Sequence, residues 1–236
     1  MTNWIHRYGL AGALGVSLAL NCVLAFQAWQ YRGMAQSLAP SKEKDRGEYL
    51  GDDAEIRALA TGKAIVLFGD SIVQRWGHPM PLAVNRGIAT ETSDELVRRV
   101  APDVIVLKPH AMVLLGGIND FTHDPTEVNC AKISTGVITN LQTVAEAAKA
   151  AGIAVSISSL LPTGTEGMPL PGNCWAQIPL VNRALQTWTA QHGMGFLDFY
   201  SVLTDGKGHY QAVFTDDGLH PNAAGYAVMV KVLSPA

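Results

Sequence analysis

The sequence of 236 residues has few charged side chains and no excess of positive charge. Aspartate and glutamate outnumber lysine and arginine by 20 to 17, the formal net charge is −3, and only 16% of the residues are charged. Proteins that bind nucleic acids normally show a basic excess, so this balance argues against a nucleic-acid partner. With 48% hydrophobic residues, the chain can bury one domain core and still carry a modest extra segment.

Several sequence motifs of known site types are also missing. There is no Gly-x-Ser-x-Gly, which argues against an α/β-hydrolase. Neither a P-loop nor a Gly-x-Gly-x-x-Gly follows a predicted strand, and the seven histidines show no metal-ligand spacing. The sequence therefore predicts no metal and no other cofactor.

Charge is absent altogether between Arg7 and Arg32. This apolar stretch is longer than the core of a signal peptide, about 7–15 residues, and long enough for the roughly 20 residues that cross a bilayer. We interpret residues 1–32 as a membrane anchor, with a cleaved signal sequence as the main alternative, and residues 33–62 as a stalk. A large folded domain is translocated largely regardless of flanking charge, so we expect a membrane-anchored domain on the periplasmic, extracytoplasmic side.

Cysteine is scarce, with three in the whole chain. Cys22 lies in the apolar stretch, whereas Cys130 and Cys174 lie beside loop-like residues in the soluble part. In an oxidising compartment these two could form a disulfide that stabilises the fold by about 4 kcal/mol. Two unpaired thiols are the alternative.

Strand and helix patterns alternate from Ala64 onward. Short apolar runs predict five strands, at residues 64–68, 82–88, 111–117, 153–160 and 195–200. Helical periodicity and capping residues predict helices at residues 92–100, 133–151, 175–192 and 221–233, and a helix-like stretch follows Ser71. This alternation is typical of a parallel sheet covered on both faces. In such sheets, ligands bind beyond the carboxyl ends of the strands.

Polar residues follow each of the first three predicted strands. They are residues 69–71 (Gly-Asp-Ser), residues 85–87 (Asn-Arg-Gly) and residues 117–120 (Gly-Ile-Asn-Asp), and Asp217 and His220 precede the last helix. All four segments fall at the same edge of the predicted sheet. The expected site therefore contains a hydroxyl, an imidazole, a carboxylate and a carboxamide.

These residue types suit nucleophilic acyl chemistry. A serine hydroxyl such as Ser71 needs a base to take its proton, and a histidine such as His220 can do so near neutral pH. A carboxylate such as Asp217 would hold the other ring nitrogen. The negative charge that develops on the attacked carbonyl oxygen needs fixed donors, for which the N–H groups of Ser71 and Gly87 and the Asn119 side chain are candidates.

Each residue also has a structural interpretation. Ser71 alone could be a helix N-cap, and Asn119 alone could be a turn former. Asp216 competes with Asp217 as the partner of His220, although its spacing of four residues is less favourable than three. Trp76 could line an acyl or sugar pocket, or it could pack in the core.

Taken in order, the four motifs resemble those of the SGNH, or GDSL-type, hydrolases. The resemblance covers Lys63 to Leu233, and it defines a predicted hydrolase domain at residues 63–236. Ile72 stands where the motif has leucine. The resemblance implies a flavodoxin-like three-layer α/β/α sandwich with a five-stranded parallel sheet, and hydrolysis of acyl esters or thioesters without a metal.

The resemblance also implies roles for individual residues. Ser71 would be the nucleophile, His220 the base and Asp217 its orienting acid. The oxyanion hole would comprise Ser71, Gly87 and Asn119. Trp76 is retained only as a weak candidate for substrate binding.

The predicted function is that of a serine esterase or lipase, a carboxylic ester hydrolase that works through an acyl-enzyme. Its substrate could be a small acyl ester, a lipid or an acetylated glycan. One alternative keeps the site but makes the protein an envelope acyltransferase or deacetylase that acts on glycan. The other is a non-catalytic flavodoxin-like binding module, which would need a Ser/Thr-rich phosphate loop that residues 69–77 do not supply.

Overall fold

The computed structural model describes residues 58–122, 129–164 and 170–233, and leaves out the side chains of residues 171–173. The predicted anchor at residues 1–32 and nearly all of the predicted stalk lie outside these ranges. Within them, no helix is both long and apolar enough to cross a membrane.

Five parallel strands form one sheet, as the sequence predicted. They are β1 (Ile65–Gly69), β2 (Ala83–Gly87), β3 (Ala111–Leu115), β4 (Ala154–Ser158) and β5 (Gly195–Leu197). Their order across the sheet is β2-β1-β3-β4-β5. The first strand therefore lies inside the sheet, and the chain moves outward from it in both directions.

In the part of the chain that the structure describes, six α-helices connect and cover the strands. They are α1 (Ser71–Trp76), α2 (Ser93–Asp103), α3 (Cys130–Ala150), α4 (Ile178–Gln191), α5 (Phe199–Leu203) and α6 (Ala223–Leu233). Helix α3 packs against both α2 and α4, while α5 packs against α6. Val66, Leu67 and Phe68 are consecutive on β1 and all fully buried. Successive side chains of a strand point to opposite faces, so the sheet is covered on both sides.

Most element boundaries differ from the sequence prediction by one to three residues, and three of these differences have a local cause. Helix α6 begins at Ala223 because Pro221 forms an isolated bridge with Thr215 instead of opening the helix. The last strand ends at Leu197, where Asp198 caps the short helix α5. Trp175 belongs to a 3-10 segment, Pro171–Gln177, that precedes α4. In each case a local turn replaced the end of a predicted element.

The register of the central strands positions the site. Gly69 at the end of β1 pairs with Gly87 of β2 on one side and with Leu115 of β3 on the other. The polar segments that follow these three strands therefore leave the sheet at one level, along its carboxyl edge.

Candidate active site

Ser71 stands where β1 gives way to α1. The N-cap of that helix is Asp70, whose Oδ1 accepts a hydrogen bond from the Ile72 N–H at 2.9 Å. Because Asp70 does the capping, the Ser71 hydroxyl is available for another partner. It lies 2.9 Å from His220 Nε2, although the two residues are 149 positions apart in the sequence.

His220 is held by a turn that surrounds one carboxylate. Asp217 Oδ2 lies 2.7 Å from His220 Nδ1, while Asp217 Oδ1 accepts the backbone N–H groups of Leu219 and His220 at 2.9 and 2.8 Å. Thr215 Oγ1 donates to the His220 carbonyl at 2.8 Å. The competing Asp216 instead accepts a hydrogen bond from Asn222 Nδ2. The spacing of three residues thus brings Asp217 to the imidazole.

The charge on Asp217 fits this arrangement. Burial by itself would raise the pKa of Asp217, but the hydrogen bonds from the N–H groups of His220 and Leu219, and from the His220 ring, lower that pKa well below its usual value. An ionised carboxylate accepts a hydrogen bond from a protonated Nδ1. The other ring nitrogen, Nε2, is then unprotonated and can accept the hydrogen bond of the Ser71 hydroxyl. Arg75 adds a cation, with Nη1 3.4 Å from Asp217 Oδ2.

Asn119 begins the 3-10 turn that follows β3. Its Nδ2 donates to the Glu91 carbonyl at 2.9 Å, and its carboxamide has a second N–H to offer. The neighbouring Asp120 anchors the turn, because its two oxygens accept the N–H and the hydroxyl of Ser93 at 2.8 and 2.6 Å. The turn after β3 is therefore tied to the start of α2.

Gly87 is packed tightly between β2 and α1. A Cβ at this position would lie 2.1 Å from the Gln74 backbone N, so only glycine fits. Its N–H donates to Asn85 Oδ1 at 2.9 Å. Gly87 could act as an oxyanion donor only if that hydrogen bond were exchanged for one to the substrate.

Trp76 packs in the core, which is one of the two interpretations that the sequence left open for it. Its side chain is buried between Phe199, at 5.5 Å in an edge-to-face arrangement, and the stacked ring of Tyr226 at 5.7 Å. The position five residues after Ser71 is the last of α1, and it faces α5 and α6. Sequence spacing alone did not reveal this orientation.

Asp70 is fully buried beside the nucleophile. Its pKa is raised to about 7, chiefly by burial; the hydrogen bond from the Ile72 N–H and the charge of Arg99 lower this pKa, while the Glu91 and Asp120 carboxylates add to the rise. Among the described residues, Asp70 Oδ2 has no hydrogen-bond partner. This carboxyl therefore changes charge in the same pH range in which a histidine base would be expected to work.

Two supporting side chains were not recognised as such from the sequence. Asn85 Nδ2 donates to the carbonyls of Val73 and Gly77, at 2.7 and 2.8 Å, and so binds α1 to β2. Arg99 lies buried beneath the ends of β1 and β2. Its position three residues after Leu96, on the apolar face of α2, was the available signal.

Cys130 and Cys174 form a disulfide that joins the first residue of α3 to the segment before α4. Of the two alternatives for these cysteines, the structure shows the paired one.

The sequence also predicts that the protein uses no metal. Within residues 58–122, 129–164 and 170–233, no group of three or more His, Cys, Asp or Glu side chains is arranged to hold a metal ion.

Comparison with known proteins identifies the family. The family model described as the GDSL-like Lipase/Acylhydrolase family matches residues 67–228, more than half of the chain. The chain belongs to this family. It is accordingly a carboxylic ester hydrolase, and the resemblance seen in the four sequence motifs is confirmed.

Solved structures show the same fold at low sequence identity. A GDSL-like lipase from Bacteroides thetaiotaomicron is 24% identical, with a TM-score of 0.65 over 86% of this chain and 93% of its own. A catalytic variant of an acetylxylan esterase from Geobacillus stearothermophilus is 18% identical, with a TM-score of 0.58 over 73% of this chain and 92% of its own. No curated protein sequence matches the chain.

Proposed function

We propose that this GDSL-family protein hydrolyses acyl esters through a Ser71–His220–Asp217 triad and an acyl-enzyme intermediate. The observation that carries the proposal is the continuous chain of contacts from Ser71 Oγ to His220 Nε2, at 2.9 Å, and from His220 Nδ1 to Asp217 Oδ2, at 2.7 Å. The first distance is within reach of proton transfer between nucleophile and base, and the second lets Asp217 hold the imidazole in the tautomer that this transfer needs.

Acylation follows from this geometry. Ser71 Oγ attacks the ester carbonyl carbon as its proton moves to His220 Nε2, and the carbonyl oxygen becomes an oxyanion. Asp217 stabilises the imidazolium formed in this step. When the tetrahedral intermediate collapses, the bond to the alcohol oxygen breaks, and His220 gives its proton to that oxygen.

In deacylation a water oxygen is the nucleophile, and Ser71 Oγ becomes the leaving group. Water attacks the acyl-Ser71 carbonyl while His220 Nε2 takes its proton, and collapse returns that proton to Ser71 Oγ and releases the acid. The candidate oxyanion donors are the Ser71 N–H and the second N–H of the Asn119 carboxamide, with Gly87 as the third if its bond to Asn85 exchanges. One such donor is worth about 10²–10³ in rate.

Short acyl groups on carbohydrate are the second substrate class to consider. Among the proteins of similar fold, one is an acetylxylan esterase and another a GDSL-like lipase, so acetylated glycans and lipid esters are both substrate classes to test. The same acyl-enzyme would pass its acyl group to a sugar hydroxyl if that hydroxyl replaced water. Transfer to an added polyol that outruns hydrolysis would identify such a transferase.

The experiment that tests the proposal is hydrolysis of nitrophenyl esters from acetyl to palmitoyl by the full chain in detergent. Ser71→Ala should lower kcat by more than about 10³-fold at every chain length. Ser201→Ala, which removes an exposed hydroxyl on α5 that donates to Asp198, should leave kcat unchanged. Full activity in Ser71→Ala would refute the nucleophile, and the best chain length would separate deacetylase-like from lipase-like activity.

The pH dependence tests the base separately. kcat/KM should rise with pH through about 6–7, because a histidine base must lose its proton before it can accept one from Ser71. A profile that stays flat over this range in the wild type would exclude His220 as the base.

We also propose that the catalytic domain is periplasmic and tethered by residues 1–32. The Cys130–Cys174 disulfide supports an oxidising compartment, where such bonds persist. Cell fractionation with thiol alkylation before lysis tests both points. A membrane-bound chain with neither Cys130 nor Cys174 alkylated is expected, whereas alkylation of both would place the domain in a reducing compartment.

A further inference from the structure

Arg99 carries a buried charge beneath the active-site edge of the sheet. Only 3% of the residue is exposed, and its Cζ lies 4.4 Å from the centroid of the Phe68 ring. Two buried carboxylates, Glu91 and Asp103, accept hydrogen bonds from it. A charge at this depth is costly to keep unless its hydrogen bonds are made, so the partners of its N–H groups indicate its role.

Two of those partners are backbone carbonyls at the ends of neighbouring strands. Arg99 Nη2 donates to the Gly69 carbonyl at 2.6 Å, and Nη1 donates to the Arg86 carbonyl at 2.9 Å. Nη1 also reaches Asp103 Oδ2 at 3.0 Å, and Nε donates to Glu91. One planar guanidinium therefore connects the ends of β1 and β2 with Glu91, which precedes α2, and with Asp103, the last residue of α2.

Three of the four partners of Arg99, all except Asp103, lead directly to a candidate catalytic group. Gly69 is two residues before Ser71, and Arg86 immediately precedes Gly87. Glu91, which accepts from Arg99 through its side chain, accepts from Asn119 Nδ2 through its carbonyl at 2.9 Å. The nucleophile and the candidate oxyanion donors thus share a single anchor.

The backbone of the sheet supplies only part of this connection. The paired register of β1 and β2 ends at Gly69 and Gly87, and the Ile88 N–H makes a last backbone bond to the Gly69 carbonyl at 3.0 Å. Beyond that point β1 continues into α1, whereas β2 continues into the loop before α2. The guanidinium adds a side-chain tie at the place where the backbone ladder stops.

We propose that Arg99 is a positioning residue of the active site, whose guanidinium sets the placement of Ser71 relative to the oxyanion donors. This inference rests on the proposed function of Ser71. Stability alone explains the cluster poorly, because apolar side chains of similar volume often replace a buried ion cluster without loss of stability. A rigid fork that binds two backbone carbonyls is instead suited to fixing distances.

Arg99→Lys tests the inference, since lysine keeps the charge that balances Glu91 and Asp103 but loses the planar fork. With the full chain in detergent and nitrophenyl acetate as substrate, kcat should fall about 10- to 100-fold, the cost of a small misplacement of reacting groups. KM should change by less than about threefold, because substrate binding is not affected. Thermal melting reports whether the variant is folded at the assay temperature.

Arg98→Lys is the matched control. Arg98 precedes Arg99 on α2, but it is exposed, and its ion pair among the described residues is with Asp94 on the helix surface, at 2.6 Å. Its kcat should stay within about twofold of the wild type, as for other surface ion pairs. A second readout is chemical rescue, in which millimolar guanidinium, but not sodium chloride at equal ionic strength, should restore part of the kcat of Arg99→Ala.

The outcomes separate this inference from the proposed function. If Ser71→Ala keeps full activity, the proposed function fails and the positioning role fails with it. If Ser71→Ala is inactive while folded Arg99→Lys keeps the wild-type kcat, only the positioning role is overturned. If Arg99→Lys does not fold, Asp103→Asn, which removes one restraint on Nη1, should still lower kcat severalfold at constant KM, and an unchanged kcat there would overturn the role.

Discussion

The nucleophile side and the base side of the candidate active site are built differently. Ser71 and Asn119 are buried, and long-range contacts through Arg99 and Asp120 hold the segments that carry them. Asp217, by contrast, has 42% of its side chain exposed, and apart from a 3.4 Å contact with Arg75 its hydrogen bonds join it to residues two and three positions away. One side depends on the packed sheet edge, whereas the other depends on a turn of a few residues.

Among the variants that probe the two sides, Asp217→Asn on the base side should cause the largest loss of kcat. The amide can offer its N–H to the imidazole and so favour the tautomer that presents a proton to Ser71, which leaves no base for the hydroxyl. kcat should fall by about 10⁴-fold, as expected when the imidazole tautomer is wrong. The melting temperature should change little, because the backbone N–H groups of Leu219 and His220 still find an amide oxygen.

Asp216→Asn is the matched control for this variant. Asp216 is the adjacent carboxylate, and its described side-chain partner is Asn222, at 3.1 Å. Its kcat should stay close to that of the wild type. Equal losses in the two variants would mean that the charge of the turn matters and that the specific contact of Asp217 with His220 does not.

The difference between the two sides also explains what could be predicted from the sequence. The Asp-x-x-His spacing encodes the contact between Asp217 and His220 within one turn, so the sequence was enough to prefer Asp217 over Asp216. Ser71 and Asn119 were found because a parallel sheet brings the carboxyl ends of its strands together. The topology placed these segments at one edge without any knowledge of side-chain contacts.

Long-range side-chain contacts could not be predicted in this way. Arg99 meets carbonyls on two strands that are 13 and 30 residues away in the sequence, and no local pattern encodes those distances. Trp76 was a weak pocket candidate until the positions of α5 and α6 showed that it packs on Phe199 and Tyr226. The short helix α5 was missed because Phe199 and Tyr200 continue the apolar pattern of β5.

The disulfide should affect the stability of the fold without affecting either side of the active site. Cys130 and Cys174 are 44 residues apart, and a crosslink over a loop of this length is worth about 4 kcal/mol by loop entropy. Replacing both with alanine should lower the free energy of unfolding by about that amount in urea titrations, with kcat at 25 °C within about twofold of the wild type.

Reductant provides the control for the disulfide. It should lower the urea midpoint of the wild type to that of the double alanine variant and leave the variant unchanged. A variant with wild-type stability would contradict the crosslink, whereas a large loss of kcat would connect it to the catalytic geometry.

Asp70 makes the nucleophile side sensitive to pH. Its pKa is about 7 in the folded protein against an ordinary value of 3.8 for an aspartate, so between about pH 4 and pH 7 the folded state binds a proton that the unfolded state has released. The contribution of Asp70 to stability is therefore complete at low pH and is lost as the pH rises through about 7. Asp70→Asn cannot ionise and should be more stable than the wild type at pH 8, but not at pH 5.

Urea titrations at several pH values between 5 and 8 measure this effect as the difference between wild type and variant. The groups that act on Asp70, namely Glu91, Asp120 and Arg99, are present in both proteins. Asp94→Asn is the control, because the pKa of Asp94 lies below its usual value and its effect should be constant across this range. A constant difference for Asp70→Asn as well would contradict a raised pKa.

The smallest expected effect concerns the exposed cation on the base side. Arg75 and Asp217 are about half exposed and 3.4 Å apart, so solvent screens their attraction strongly. Arg75→Gln removes a positive charge that opposes protonation of the imidazole, and the midpoint of the kcat/KM profile should move to higher pH by a few tenths of a unit at low salt. The shift should vanish at about 1 M salt, where the Debye length is about 3 Å. A shift that persists at high salt would show that Arg75 orients Asp217 directly, and the base side would then depend on α1 as well as on its own turn.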